Sequence, residues 1–276
     1  MADNVFKIAA VQMVSSHDVE KNLSDAGELI AEAARQGVRL VGLPEYFCLM
    51  GKRDGDKVAI RETEGNGPIQ SFLSQAAAKH GVWLVGGTAP LATADAGRVR
   101  NACLIYDDTG KQVARYDKIH LFGFQNGAER YDESTTIEAG DTPMSLDSPF
   151  GKLGFSICYD LRFPELYRSF APVDIIFVPS AFTATTGRAH WETLLRARAI
   201  ENLAYVVAPA QGGIHSNRRA TWGHSMIIDP WGEILACRDE GPGVVIAEID
   251  LSKNAKVRAS LPALDHRTLG NIKNSF

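Results

Sequence analysis

The chain has no apolar run approaching the roughly 18 residues needed to cross a bilayer, so no membrane span is expected. Cysteine is scarce. The four residues Cys48, Cys103, Cys158 and Cys237 include no C-x-x-C spacing. Four cysteines in a chain this long do not suggest a disulfide framework, and a reduced, cytoplasmic setting is expected. Positive charge shows no excess. Lys and Arg number 29 against 33 Asp and Glu, for a net charge of −4 with no basic stripe. This argues against nucleic acid as the main partner. No H-E-x-x-H spacing exists, and His190-Trp191-Glu192 reads as part of a helix, so no metal is predicted. His120, His215, His224 and His266 are scattered and give a Cys–His dyad no local support. The opening MADNVFKIAAVQM places Asp3 before a short apolar run and reads as neither a signal nor a transit peptide.

What is present is ordinary globular composition, 45% hydrophobic and 22% charged. VFKIAAV (5–11) reads as a buried strand. A helix follows over Asp18 to Gln36, with Gly37 to end it, and then a strand, VRLVGLP, that stops at Pro44-Glu45. Pro68 opens a second helix and Gly81 closes it ahead of VWLVGGT (82–88). Residues 101–118 read as a hairpin turning at Asp108-Thr109-Gly110. Residues 120–142 are polar, rich in Gly and without periodicity, so they read as a long loop.

A similar series recurs. It runs through a strand over Leu153 to Ile157, a helix from Pro164, a strand over 174–182, a helix from His190 to Asn202 and a strand over 204–210. A hairpin over 224–238 and a last strand over 244–250 complete it, and the tail from Leu261 is polar and irregular. No composition break separates the halves. One α/β domain is expected, with two related halves, two sheets face to face and helices outside.

Three potentially reactive side chains each stand at a strand's C-terminal end: Glu45 in LPEYF, Lys118 in DKIHLF and Cys158 in ICYDLRFPELYR. They could converge on one rim, where α/β sheets place their sites. Taken singly, a glutamate after a proline or a lysine after Tyr-Asp is ordinarily a solvated charge. A cysteine in an apolar strand is ordinarily core. Cys103 and Cys237 are assigned to the core on that basis, and Cys48 to the margin of the site. Cys158 differs because the residues after it turn polar at once. Asp160 is expected to order that turn. Arg162 either pairs with it or reaches a substrate carboxylate.

In that order the three boxes resemble the glutamate, lysine and cysteine boxes of the nitrilase superfamily of carbon–nitrogen hydrolases, and the likeness runs from KIAAVQM to about Arg267. The resemblance implies a four-layer α-β-β-α sandwich with a core of about 5–267 in the single domain 1–276. It also implies a homodimer or higher homo-oligomer, a small-molecule amide substrate, and no cofactor. By that likeness Cys158 is the nucleophile and Glu45 the general base. Lys118 and the backbone N–H of Tyr159 hold the oxyanion. Glu133 is chosen over its loop neighbours Glu129, Asp132 and Glu138 to position substrate and Lys118.

The wording of residues 180–232 is similar to the branch that includes deaminated-glutathione amidases, with ω-amidases acting on 2-oxoglutaramate close behind. Carbamoylase or nitrilase outcomes share the thioester, and a binding protein with a decayed site is the remaining alternative. Arg162, Thr185, Thr186, Arg188 and Arg218 are available to bind substrate carboxylates, with Tyr159 beside them.

Overall fold

The computed structural model describes residues 4–127 and 129–268. The first half runs β1 (Val5–Gln12), α1 (Val19–Arg35), β2 (Val38–Gly42), α2 (Asp56–Ala59), α3 (Pro68–His80), β3 (Trp83–Val85), β4 (Ala89–Ala92), β5 (Val99–Tyr106) and β6 (Gln112–Asp117). Asp18 caps α1 by accepting from the Lys21 N–H at 3.1 Å, and left-handed Gly81 ends α3. The segment expected to be a long loop instead carries a small hairpin, β7 (Gly123–Asn126) and β8 (Glu129–Asp132). It is held by apolar stacking of Phe122 on Phe124 and Tyr131, which the polar composition hides.

The second half runs β9 (Ser145–Ser148), β10 (Gly151–Phe155), α4 (Pro164–Phe170), β11 (Ile175–Phe177), α5 (Ala184–Asn202), β12 (Tyr205–Ala208), a small hairpin β13 (Gly212–Ile214) and β14 (Ala220–Trp222), β15 (Ser225–Ile228), β16 (Ile234–Arg238), β17 (Gly243–Asp250) and α6 (Leu251–Ser260). Helix α5 starts six residues before the expected His190, because the Thr183 hydroxyl caps it by accepting from the Thr186 N–H. Helix α6 is not legible in the pattern. Asp250 caps it, and Asn254 and Arg258 tie it to Asp174.

Two large sheets form. One has the order β17-β1-β2-β3-β5-β4, with β6 on the other side of β5; the other has the order β16-β15-β12-β11-β10-β9. In each, three parallel strands (β1-β2-β3, β10-β11-β12) are followed by an antiparallel neighbour. The halves therefore repeat one arrangement.

Strand alternation sorts the core into layers. Ile8, Ala10, Leu40, Val85, Cys103 and Ile105 pack toward the second sheet's Phe155 and Phe177, while Ala9, Val11, Val41, Leu84 and Leu104 pack against Ile30 of α1 and Leu73 of α3. Trp191 and Leu195 of α5 and Tyr167 of α4 cover the second sheet's outer face. The result is the expected four-layer α-β-β-α sandwich. Cys103 is core as expected, and so is Cys48, rather than marginal to the site. Cys237 is a correction: it lies exposed on β16, an edge strand with no neighbour to cover it.

Glycine is required beside one reactive residue. Gly87 has φ +58, and a Cβ there would stand 2.2 Å from the Pro44 carbonyl oxygen, next to Glu45. Gly87→Ala should cost at least about 2 kcal/mol in chemical denaturation, from backbone strain plus the clash; unchanged stability would show that this turn can relax.

Candidate active site

Strand direction brings the three reactive residues together. β5 is antiparallel to β3, and β6 is antiparallel to β5, so β6 ends at the same rim as β2. Lys118 directly follows β6, and Glu45 follows β2 after Leu43-Pro44. Cys158 follows β10 of the facing sheet by two residues and opens a 3-10 turn, Cys158–Arg162. The site is thus built across the junction of the two sheets.

The Lys118 ammonium is fully buried. It donates to Glu45 Oε1 at 2.8 Å and to Glu133 Oε2 at 2.7 Å. Each carboxylate receives two further donors. Glu45 takes Asn101 Nδ2 at 2.9 Å and the Ala181 N–H at 3.0 Å; Glu133 takes the Phe122 N–H and the Tyr46 hydroxyl, both at 2.8 Å. Asn101, Tyr46, Phe122 and Ala181 escape sequence reasoning. A polar residue inside a strand and backbone N–H groups carry no signal, and Tyr46 was passed over beside Glu45.

Electrostatics separates the two carboxyls. Burial raises Glu45 above its ordinary range, against the pull of Lys118, and the charge of Glu133 adds to the rise. Burial would raise Glu133 as well, but attraction and hydrogen bonding from Lys118 bring it below its ordinary range. Burial would lower Lys118, yet Glu133 and Glu45 together hold it above its ordinary value. Burial lifts the Cys158 thiol well above its ordinary value; Glu45 adds to this and Lys118 opposes it. At neutral pH the site holds a fixed Lys118–Glu133 ion pair, a thiol, and a carboxyl poised to exchange a proton.

Cys158 sits at φ +50 and Tyr46, the residue after Glu45, at φ +56. Both occupy the sparsely populated left-handed region. The turn around Cys158 is tied down by buried Asp160, which accepts from the Ile157 N–H at 2.8 Å, the Tyr116 hydroxyl at 2.7 Å and the His120 N–H at 2.9 Å. Its ion-pair partner is His120, not Arg162.

A narrow pocket lies against Cys158, lined by Glu45, Glu133, Tyr159, Arg162, Phe182 and Thr186, with Phe122 and Arg219 at its margin. Its free volume is about 10 Å³, room for about one water, so a larger ligand must push its walls apart. The Arg162 guanidinium stands over the rings of Tyr159 and Phe182, 5.7 and 5.4 Å from their centroids. Thr186 lines the pocket, though its hydroxyl is bonded to Thr183. Thr185, one residue out of phase, does not line it: it is exposed and donates to Glu129. Arg188 lies over Trp222, outside the pocket, while Arg218 lines an adjacent, wider basin.

Comparison with known proteins agrees with this geometry. The carbon–nitrogen hydrolase family profile matches residues 7–259. A deaminated glutathione amidase from Synechocystis sp. is 46% identical over 265 residues, covering 94% of this chain and 97% of that protein. The crystal structure of the C. elegans NitFhit protein is 40% identical with a TM-score of 0.88, covering 97% of this chain and 66% of that one. An amidase from Nesterenkonia sp. AN1, captured with acrylamide added to its active-site cysteine, is 25% identical with a TM-score of 0.78, covering 93% of this chain and 98% of that one.

Lys118→Met would leave two buried carboxylates without their cation, at an expected cost of about 3–5 kcal/mol at neutral pH. Both carboxyl pKa values would then lie above their unfolded values, so the deficit should shrink as pH falls. Urea denaturation at several pH values checks this, and a deficit that grows toward acid would contradict it.

Proposed function

Because the chain belongs to the carbon–nitrogen hydrolase family, we propose that it cleaves deaminated glutathione into 2-oxoglutarate and cysteinylglycine through a thioester on Cys158. It is an enzyme that hydrolyses amides, and its relatives are named for that activity. The observation that carries the reading is the buried Lys118 bridging Glu45 and Glu133 beside a thiol in a pocket.

Cys158 attacks the carbonyl carbon of the scissile amide as Glu45 takes the thiol proton. The thiol's raised pKa fits a proton that moves with the attack rather than before it. The ammonium of Lys118 and the backbone N–H of Tyr159 stabilise the oxyanion. The tetrahedral species collapses as Glu45 returns the proton to the departing amine, leaving the thioester. Glu45 then deprotonates a water, the water attacks the thioester, and 2-oxoglutarate leaves as the thiol is restored. Glu133 keeps Lys118 charged and placed. Arg162 and Thr186 line the acyl side, where the 2-oxo acid end needs a cation and a hydroxyl.

The same reading treats residues 1–276 as one hydrolase domain, working as a homodimer or larger homo-oligomer in a reducing cytoplasm. Exposed Ile200, Trp231 and Ile234 support self-association, and free Cys158 supports the compartment. An ω-amidase acting on 2-oxoglutaramate is the second reading, favoured by how little room the inner pocket has.

Release of 2-oxoglutarate from the two substrates should favour deaminated glutathione and vanish in Cys158→Ala. A rate dominated by 2-oxoglutaramate would replace the substrate, and an active Cys158→Ala would remove the mechanism. Glu45→Gln should lower kcat by about 10²–10⁴-fold. The acid limb of kcat/KM reports protonation of Glu45, because below its midpoint the thiol proton has no acceptor. Glu133→Gln removes a charge that raises Glu45, so the limb should move to lower pH. A limb that stays in place would take the proton-accepting role from Glu45.

A further inference from the structure

Beside the catalytic pocket lies a second cavity, with about 320 Å³ of free volume against about 10 Å³ in the inner pocket. The two share Phe122, Glu133 and Arg219, so they meet. The chain as a whole carries a net charge of −4, yet this basin is lined by Lys52, Arg53, Lys57, Arg130, Arg218 and Arg219. The acids on its wall are Asp54, Asp132 and Glu133, and Glu133 is already neutralised by Lys118. At the junction Arg219 donates to the Ala181 carbonyl at 3.2 Å and lies over the Tyr131 ring, 5.0 Å from its centroid. Its Nε is buried with no acceptor among the described residues, so it has donor capacity left over.

The order of chemical events assigns the two cavities. The acyl fragment stays bonded to Cys158 after the first step, whereas the amine departs. The fragment that departs belongs on the open side, and Lys52, Arg53, Arg130 and Arg218 are all exposed. The inner walls, Ala181, Phe182, Thr183 and Thr186, are buried. A primary amide releases only ammonia and has no use for a basin of this size and charge.

We propose that this basin is a leaving-group subsite, which binds a peptidic amine through its terminal carboxylate. The inference rests on the amide-hydrolase reading above and adds to it a class of leaving group and the residues that select it.

The test compares kcat/KM for deaminated glutathione with that for an analogue whose terminal carboxylate is capped as a carboxamide. The full chain is used, as wild type and as Lys52→Gln/Arg218→Asn; Asn is chosen because residue 218 has φ +68. Wild type should prefer the free carboxylate by about tenfold, mainly through KM, as expected for a charge-assisted contact. That preference should weaken with added salt. In the double variant it should fall toward parity. Both substrates are measured on one preparation, so the ratio does not depend on how much of the variant is folded. An undiminished preference in the variant, or equal use of both substrates by wild type, overturns the subsite while leaving amide cleavage standing. Wild type that releases 2-oxoglutarate from neither substrate overturns the substrate reading, and the subsite with it.

Discussion

One buried ammonium organises this molecule's chemistry. Lys118 is out of contact with water, a placement that is tolerable only because two carboxylates receive it. Each of those carboxylates is in turn held by further donors, from Asn101 and the Ala181 backbone on one side and from Tyr46 and the Phe122 backbone on the other. Five separate segments of chain are thereby fixed around one charge. The asymmetry matters as much as the attraction. Glu133 is pulled down and Glu45 is left raised, so one carboxyl serves as a fixed counter-ion and the other remains free to carry a proton.

The sandwich is what allows these segments to meet. Glu45 and Lys118 come from strands of one sheet, which run the same way because two antiparallel steps separate them. Cys158 and Ala181 come from the other sheet, which repeats the arrangement. The distance from thiol to carboxylate is therefore set by how two apolar sheet faces interlock, and not by any local loop.

That division explains what could be read from the sequence. Continuous apolar runs punctuated by Gly and Pro give away the parallel strands, and a reactive residue just past each run marks the rim. Glu45, Lys118 and Cys158 were legible for that reason, whereas Glu133 needed the family likeness because four acids crowd its loop. Features fixed by tertiary contact were not legible. Thr185 was included because α5 was started too late, which lost the helical phase that separates it from Thr186. Cys237 was assigned to the core because ILACR looks like any buried strand, and only the sheet order reveals an edge. Helix α6 is polar, and its anchors lie far off in sequence, at Asp174 and Leu203.

The backbone at Cys158 carries a cost that belongs to evolution as much as to chemistry. Left-handed φ suits glycine and costs other residues about 1–2 kcal/mol. A cysteine there is a locally frustrated choice, kept in place by the anchors gathered on Asp160. Folding alone would favour a smaller residue at the one position where turnover depends on sulfur. The fold is therefore stable in spite of its nucleophile, and drift toward a more robust protein would tend to pass through its loss.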